Sequence, residues 1–194
     1  MDKNIVLIFQ HDLSSPGLDV FFAWISQTRF FSLPLLLICL AILWKQYGKN
    51  GFKCWLFAVL VVISSDLTGN LVKHMTSFAR PCAEYSNQIH VPETMFHVNC
   101  SKHLNGMPSN HAFNFFAFSV FLALMLRSIT WGGTLVTLAI LVSISRIYLG
   151  VHYPSQVIVG IILGTLLGFV ASRIAQHYFP FYRQLTASRK VETT

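Results

Sequence analysis

Residues 52–81 read FKCWLFAVLVVISSDLTGNLVKHMTSFARP, and this stretch joins an apolar run directly to a pair of cations. Positions 52–72 provide the ~20 residues that a helix needs to cross a ~30 Å hydrocarbon core. Lys73 and Arg80 follow at the end of the run, before Pro81. The stretch therefore predicts a membrane helix that brings positive charge to one membrane surface.

The whole chain has the composition of a membrane protein. Of its 194 residues, 54% are hydrophobic and only 11% are charged, which is more apolar character than a soluble domain buries. Further apolar runs lie at 30–47, 112–126, 135–149 and 157–178. Because every backbone polar group in lipid needs an internal partner, such runs favour helices. We predict an all-α fold, in which 1–194 forms a single polytopic membrane bundle of five helices.

The segment 1–29 differs from the spans that follow it. NIVLIF is too short to cross a bilayer, and the turn-rich stretch HDLSSPG interrupts the chain after it. In the next stretch, Val20, Phe21, Trp24 and Ile25 lie at helical spacing. This pattern indicates an interfacial helix on the bilayer surface. A sixth, kinked crossing that uses part of this segment is the alternative.

Loop charges orient the bundle. The cations lie in the stretch 44–53 that joins the first two runs, between the third and fourth runs, and in the tail 179–194: Lys45, Lys49, Lys53, Arg127, Arg183, Arg189 and Lys190. Because cytoplasmic loops are enriched in Lys and Arg, we place these three regions in the cytoplasm. Five crossings then put the amino terminus and the polar loop 82–107 on the extracytoplasmic side.

Three segments at the ends of apolar runs carry side chains suited to phosphate. They are KHMTSFARP at 73–81, PSNH at 108–111 and SRIYLGVH at 145–152. The parity of the crossings puts all three on the extracytoplasmic face, although topology played no part in selecting them. We therefore expect one site assembled from the three segments.

Five side chains give this expected site its chemistry. Lys73, Arg80 and Arg146 supply positive charge, which stabilises the negative charge on a transferring phosphoryl group. His111 and His152 supply imidazoles for proton transfer or nucleophilic attack. Chemistry of this kind needs no metal and no other cofactor, and we predict none.

The start of the third run adds further candidate phosphate ligands. The backbone amides of Ser109 and Asn110 lie where a helix N-terminus attracts anions. The hydroxyl of Ser109 is another donor. We therefore include Ser109 and Asn110 among the predicted phosphate-binding residues.

The ordered segments resemble the type 2 phosphatidic acid phosphatase superfamily, whose pattern is Lys, six residues, Arg-Pro; Pro-Ser-Gly-His; and Ser-Arg, five residues, His, three residues, Asp. The resemblance extends from about position 66 to the end of the fifth run. It implies a helical bundle whose active site at the membrane surface hydrolyses lipid phosphates, without metal, through a phosphohistidine. Position by position, it makes His152 the nucleophile, His111 the general acid, and Lys73, Arg80 and Arg146 the phosphoryl ligands.

Two positions depart from that pattern, because Asn110 replaces Gly and Gln156 replaces Asp. The resemblance implies that the Asp accepts a hydrogen bond from the nucleophilic His and stabilises its positive charge, for which a neutral amide is poorer. Gln156 can still orient the ring of His152 through its amide oxygen. Asp66 shares a helix face with Lys73. Since a carboxylate inside a membrane is costly, we expect Asp66 to pair with Lys73 or another cation.

Cys82 and Cys100 both fall in the predicted external loop, where thiols can be oxidised. We predict a disulfide between them. The loop histidines have spacings that do not form a compact ligand pair, so we predict no metal site there. In the fifth run, Gly160, Gly164 and Gly168 recur every fourth residue, which predicts a helix-packing face rather than a substrate groove.

The sequence thus predicts a lipid phosphatase of a bacterial inner membrane with a periplasmic active site. Its partners are a lipid phosphate and the bilayer, with no nucleic acid and no obligate protein partner. The candidate substrates are undecaprenyl pyrophosphate, phosphatidylglycerol phosphate, phosphatidate and a phosphate of lipid A. A lipid phosphotransferase using the same intermediate is one alternative. Because of Gln156, a catalytically silent lipid-binding membrane protein is the second.

Overall fold

The computed structural model describes residues 1–126 and 128–178. Arg127 and the tail 179–194 lie outside the described residues, so their cytoplasmic placement stays a prediction. Within the described ranges the chain forms helices and loops, with no β-strand. The all-α prediction is confirmed for this part of the chain.

The helices follow one another in the order α1 (Asp2–His11), α2 (Pro16–Ile25), α3 (Leu33–Met75), α4 (Pro81–Glu84), α5 (Asn110–Leu126), α6 (Ile129–Tyr148) and α7 (Pro154–Tyr178). A π-helical turn at Thr28–Ser32 leads into α3. The described segments long and apolar enough to cross a membrane are Thr28–Met75, α6 and α7, while α2 and α5 are shorter apolar helices. The chain is therefore an integral membrane protein.

Helix α3 folds back on itself at Gly48. The backbone there has φ 55° and ψ −132°, a conformation that glycine adopts because it lacks a Cβ. Trp55 Nε1 donates a hydrogen bond of 2.9 Å to the carbonyl oxygen of Leu36, 19 residues earlier. Along a straight helix these residues would be about 28 Å apart. Residues 33–47 and 49–75 are therefore two helices packed side by side, as the first two apolar runs predicted.

Helix α5 packs closely against α7 along the glycine face of α7. A Cβ placed on Gly160, Gly164 or Gly168 would lie 2.5–2.6 Å from a backbone carbonyl oxygen in or just before α5. Side chains larger than hydrogen would push the two helices apart. The prediction of a helix-packing face is confirmed.

The amino-terminal segment holds two helices, because α1 forms where the sequence indicated only a short apolar stretch. In α2, Phe21 and Trp24 are exposed, as expected for an interfacial helix. Ile25 does not share this outward face, since only 3% of it is exposed, and it packs with Phe22 in a hydrophobic cluster that also includes Tyr148 of α6. One side of α2 therefore belongs to the protein core.

The loop 82–107 packs over the amino-terminal helices. Gln10 Nε2 donates to the carbonyl oxygen of His90 at 2.7 Å, and the backbone N–H of His90 donates to Gln10 Oε1 at 3.1 Å. Cys82 and Cys100 form a disulfide in the structure. The hydrogen bonds of His90 with Gln10 therefore fasten the loop to α1.

Candidate active site

A cavity of about 680 Å³ brings the three phosphate-suited segments together. Its lining includes all three predicted cations and both predicted histidines. Lys73 lies in the last turn of α3, Arg80 precedes α4, His111 is in the first turn of α5, Arg146 is in the last turn of α6, and His152 follows α6. The bundle therefore juxtaposes residues that are far apart in sequence.

A tight turn at Gly150, directly after α6, brings His152 to the cavity. Gly150 has φ 67°, in the left-handed region that glycine adopts without strain. A Cβ at Gly150 would lie 2.6 Å from Ile89 Cγ2. The Gly150 carbonyl accepts a 2.9 Å hydrogen bond from the N–H of Cys82, and the N–H of His152 donates to the carbonyl of Arg146 at 3.1 Å. These contacts hold His152 beside the end of α6.

Gln156 contacts the ring of His152 directly. His152 Nδ1 and Gln156 Oε1 are 3.0 Å apart. Gln156 Nε2 donates to the carbonyl oxygen of Ala79 at 2.7 Å, and its Oε1 accepts from the backbone N–H of Tyr153 at 3.2 Å. This pairing assigns the oxygen to the imidazole side, so Nδ1 carries the proton. Nε2 of a neutral His152 then keeps its lone pair.

The surroundings of His152 favour its neutral form. Burial, followed by the positive charges of Arg146 and Arg80, holds the pKa of His152 well below its ordinary value of 6.5. The hydrogen bond to Gln156 opposes this shift, and Lys73 adds to it. At neutral pH the imidazole is therefore unprotonated and able to act as a nucleophile.

Ser26, at the end of α2, contacts two of the predicted site residues. Its carbonyl oxygen lies 3.0 Å from His111 Nε2, and its hydroxyl accepts a hydrogen bond from an Nη atom of Arg146. Because a carbonyl can only accept, Nε2 of His111 carries a proton and Nδ1 of the neutral ring is free. Sequence reasoning missed Ser26, since no local pattern links it to residues more than eighty positions away.

The two arginines keep donor capacity that the described residues do not use. The Nε atoms of Arg80 and Arg146 are buried without a hydrogen-bond partner among those residues. Buried donors are normally paired because leaving one unpaired is costly. Two guanidinium groups facing one cavity with unused donors are suited to an anion with several oxygens.

Ser109 does not line the cavity. It is fully buried, and its backbone N–H donates to the carbonyl oxygen of Gln156 at 3.1 Å. That N–H is therefore not available to an anion, contrary to the prediction, because the start of α5 packs against the start of α7. Asn110 does line the cavity, but its side-chain NH₂ group donates to Asp66 and Asn70.

Asp66 lines the cavity too, and its hydrogen-bond partners among the described residues are amides rather than the expected cation. Its oxygens accept hydrogen bonds from the side-chain amides of Asn70, Asn110 and Asn114. The amides solvate the carboxylate inside the bundle, so Asp66 needs no direct ion pair with Lys73. Asn114 was detectable in the sequence as a polar residue inside an apolar run, which is costly in a membrane.

Comparison with known proteins places this chain in a family. The PAP2 superfamily model matches residues 53–179, more than half of the chain. The chain is 25% identical over 173 residues to a lipid A 4'-phosphatase of Bacteroides thetaiotaomicron, covering 88% of this chain and 75% of that protein. It is 27% identical over 175 residues to a lipid A 4'-phosphatase of Porphyromonas gingivalis, covering 90% and 72%.

A third relative is the bacitracin transport permease protein BcrC of Bacillus licheniformis, at 25% identity over 162 residues, covering 84% of this chain and 75% of that protein. Among solved structures, the fold matches a PAP2-type phosphatidylglycerolphosphate phosphatase from Bacillus subtilis with a TM-score of 0.67 and 23% identity. That match covers 93% of this chain and 87% of that one. The chain belongs to the PAP2 superfamily. Lipid phosphatase is the enzyme class that this membership supports.

Proposed function

We propose that this lipid phosphatase removes a phosphate from a membrane lipid phosphate or pyrophosphate through a phosphohistidine on His152. The observation that carries the proposal is the free Nε2 of His152 in a cavity shared with Arg80 and Arg146. Undecaprenyl pyrophosphate, phosphatidylglycerol phosphate, phosphatidate and a phosphate of lipid A remain the candidate substrates. The lipid A 4'-phosphatase relatives support the last of these candidates.

In the first proposed step, Nε2 of His152 attacks phosphorus, a phosphorus–nitrogen bond forms, and the bond to the lipid oxygen breaks. Lys73, Arg80 and Arg146 hold the phosphoryl oxygens, so the reaction needs no metal. His111 protonates the departing lipid oxygen. Because Nε2–H of His111 is held by Ser26, the transferred proton is one that Nδ1 takes up from water or from the substrate's phosphate before the step, so that His111 acts as an imidazolium.

In the second proposed step, His111 removes a proton from water, and the hydroxyl oxygen attacks phosphorus. The phosphorus–nitrogen bond breaks, phosphate leaves, and His152 regains its free Nε2. During both steps Gln156 accepts a hydrogen bond from Nδ1–H of His152. A neutral carboxamide fixes the ring and its tautomer, while it stabilises the positive charge on the ring less than a carboxylate does.

For the membrane arrangement we propose five crossings, counting the two halves of α3 separately. The cavity would then open on the periplasmic side of a bacterial inner membrane, with α1 and α2 at the outer interface. The exposed Phe21 and Trp24 of α2 support this placement, because aromatic side chains favour the membrane–water boundary. We propose no protein partner and no nucleic acid.

The proposed function is tested on the detergent-purified full chain with the four candidate lipid phosphates and a chelator present. We expect free phosphate, and a labelled phosphoenzyme that survives an alkaline quench and decays in acid, as a phosphorus–nitrogen bond does. Label on an acceptor lipid would instead indicate a phosphotransferase. Lipid binding without turnover would indicate the silent protein, and activity only with added divalent metal would contradict the metal-free mechanism.

The acidic side of the pH profile tests the state of His152. Because the pKa of His152 lies well below 6.5, its imidazole stays neutral at lower pH than that of an ordinary histidine. We therefore expect kcat/KM to be maintained at pH 6.5 and to fall only at a lower pH. Replacing Arg80 by Gln removes one positive charge that lowers this pKa, so the acidic limb should move to higher pH. The native chain and Arg80→Gln are compared with the same substrate, so ionisation of the substrate affects both pH profiles equally. An unmoved limb would contradict the assignment.

Gln156→Leu should lower kcat about 10- to 100-fold, the usual cost of losing a group that orients a reactive imidazole. The substitution removes the acceptor for Nδ1–H of His152 and the donor to Ala79, while it preserves side-chain volume. Steady-state kinetics of the purified variant provide the measurement. Gln176→Leu on α7 is the matched control and should retain activity. Equal kcat values for Gln156→Leu and the native chain would show that the amide does not position the ring.

A further inference from the structure

A polar cluster inside the helical bundle lies beside the phosphate-suited residues and takes no part in the proposed reaction. Asp66 Oδ1 accepts from Asn110 Nδ2 at 3.0 Å and from Asn114 Nδ2 at 3.2 Å, and Asp66 Oδ2 accepts from Asn70 Nδ2 at 3.1 Å. Asn110 Nδ2 also donates to Asn70 Oδ1 at 2.9 Å. Ser65 Oγ lies 2.7 Å from Asn114 Oδ1. We call these five residues the Asp66 cluster.

The Asp66 cluster contributes to the cavity wall: Asp66 lies between Ile63 and Lys73 along α3, and Asn114 lies between His111 and Phe118 along α5. Asp66, Asn110 and Asn114 line the same cavity as the histidines. The remaining lining is largely apolar and comes from both halves of α3 and from α5, and it includes Leu36, Val62, Ile63, Phe115 and Phe118. A lipid with its phosphate at the cations and its chains on the apolar wall would pass the Asp66 cluster.

The internal hydrogen bonds of the Asp66 cluster leave one acceptor position on Asp66 and one donor on Asn114 for a ligand. A carboxylate offers about four acceptor positions, and the asparagines fill three, leaving one on Oδ2 of Asp66. Asn114 Nδ2 has two N–H groups and uses one in the bond to Asp66. Because a carboxylate can only accept hydrogen bonds, the atom of Asn114 that faces Asp66 is Nδ2 and not Oδ1. The second N–H group on this Nδ2 is therefore available to donate to a ligand.

Close packing holds this arrangement in place. A Cβ on Gly69 would lie 2.5 Å from Asn110 Oδ1, so the glycine makes room for the asparagine at the start of α5. Gly69 is itself buried. The side chain of Asn110 is therefore built into the contact between α3 and α5 and is more than a solvated surface group.

We propose that the Asp66 cluster is a specificity subsite that binds a hydroxyl or amide group on the lipid moiety attached to the phosphate. Such groups carry both a donor and an acceptor, matching Asp66 and Asn114. A second phosphoryl group would bring negative charge towards Asp66, and a hydrocarbon chain would pair with neither group. The inference rests on the proposed function, and it narrows the substrates to phosphorylated lipids with a hydroxylated or amide-bearing headgroup or backbone.

The test compares two lipids with the same phosphate and two chains each, ceramide 1-phosphate and phosphatidate. Ceramide carries an amide and a hydroxyl, while the diacylglycerol part of phosphatidate offers no donor. We expect the native chain to have the higher kcat/KM for ceramide 1-phosphate in mixed micelles. In Asp66→Asn the spare acceptor becomes a donor, so the ratio of the two values should fall about 10- to 100-fold. Asp66→Ala should lower the same ratio.

Asp66→Asn preserves the size of the side chain, so it decides the question if Asp66→Ala does not fold. Asp12→Asn, at an exposed position outside the cavity, removes the same charge and should leave the ratio unchanged. The subsite would be contradicted if the native chain hydrolysed both lipids without preferring ceramide 1-phosphate. It would also be contradicted if the ratio of the two kcat/KM values were the same in Asp66→Asn as in the native chain. Phosphate release that is the same in His152→Ala would instead overturn the proposed function, and the subsite with it.

Discussion

His152→Ala should lower kcat for phosphate release at least about 10³-fold, because the variant lacks the group proposed to form the covalent intermediate. His111 is not an equivalent substitute, because its Nε2–H is held by Ser26 and its Nδ1 is the atom proposed to transfer the proton. The labelled phosphoenzyme should disappear together with turnover. Initial rates and alkaline-quenched labelling, measured on the same preparation, provide the two readouts.

His152→Asn separates loss of the nucleophile from loss of structure. An asparagine amide can still donate to Gln156 Oε1 in place of Nδ1, while it has nothing in the position of Nε2. Both substitutions should therefore inactivate the enzyme, although the asparagine better preserves the buried contacts of residue 152. His177→Ala, at an exposed position on α7, is the matched control and should retain activity. Substantial turnover in His152→Asn would rule out the phosphohistidine.

The assembly of the site was predictable because it depends on long-range regularities of the sequence. The lengths of the apolar runs indicated helices, and the parity of crossings brought Lys73, His111 and Arg146 to one end of the bundle. The structure places all three on the same cavity. The spacing of glycines in α7 also predicted a packing face, because a four-residue repeat aligns positions on one side of a helix.

The partners within the site were harder to predict because they depend on contacts between distant elements. The amide of Gln156 is oriented by the Ala79 carbonyl, and Gly106 permits this approach, since a Cβ there would lie 2.6 Å from Gln156 Nε2. Asp66 is solvated by asparagines from two helices rather than paired with Lys73. Ser26 reaches the site because α2 packs on α6. Neither helical periodicity nor the order of segments contains this information.

Arg146→Met should lower kcat/KM about 10³- to 10⁵-fold, the range found when an arginine that stabilises a transferring phosphoryl group is removed. Arg146 is 94% buried, since only 6% of it is exposed, so solvent screens its charge little. Its guanidinium donates to the hydroxyl of Ser26, which holds the group in place. Its Nε has no partner among the described residues and can donate to the phosphoryl group.

The kinetic form of this loss distinguishes transition-state stabilisation from simple substrate binding. If Arg146 acts mainly on the transferring phosphoryl group, kcat should fall together with kcat/KM. A higher KM with unchanged kcat would instead show that Arg146 binds the substrate and the transition state equally well. Arg146→Lys should recover only part of the loss, because an ammonium keeps the charge and lacks the planar fork that engages two oxygens. Arg173→Met removes the same charge at an exposed position on α7 and should change kcat/KM little. Full activity in Arg146→Lys would show that charge alone suffices and that the fork held by Ser26 is not needed.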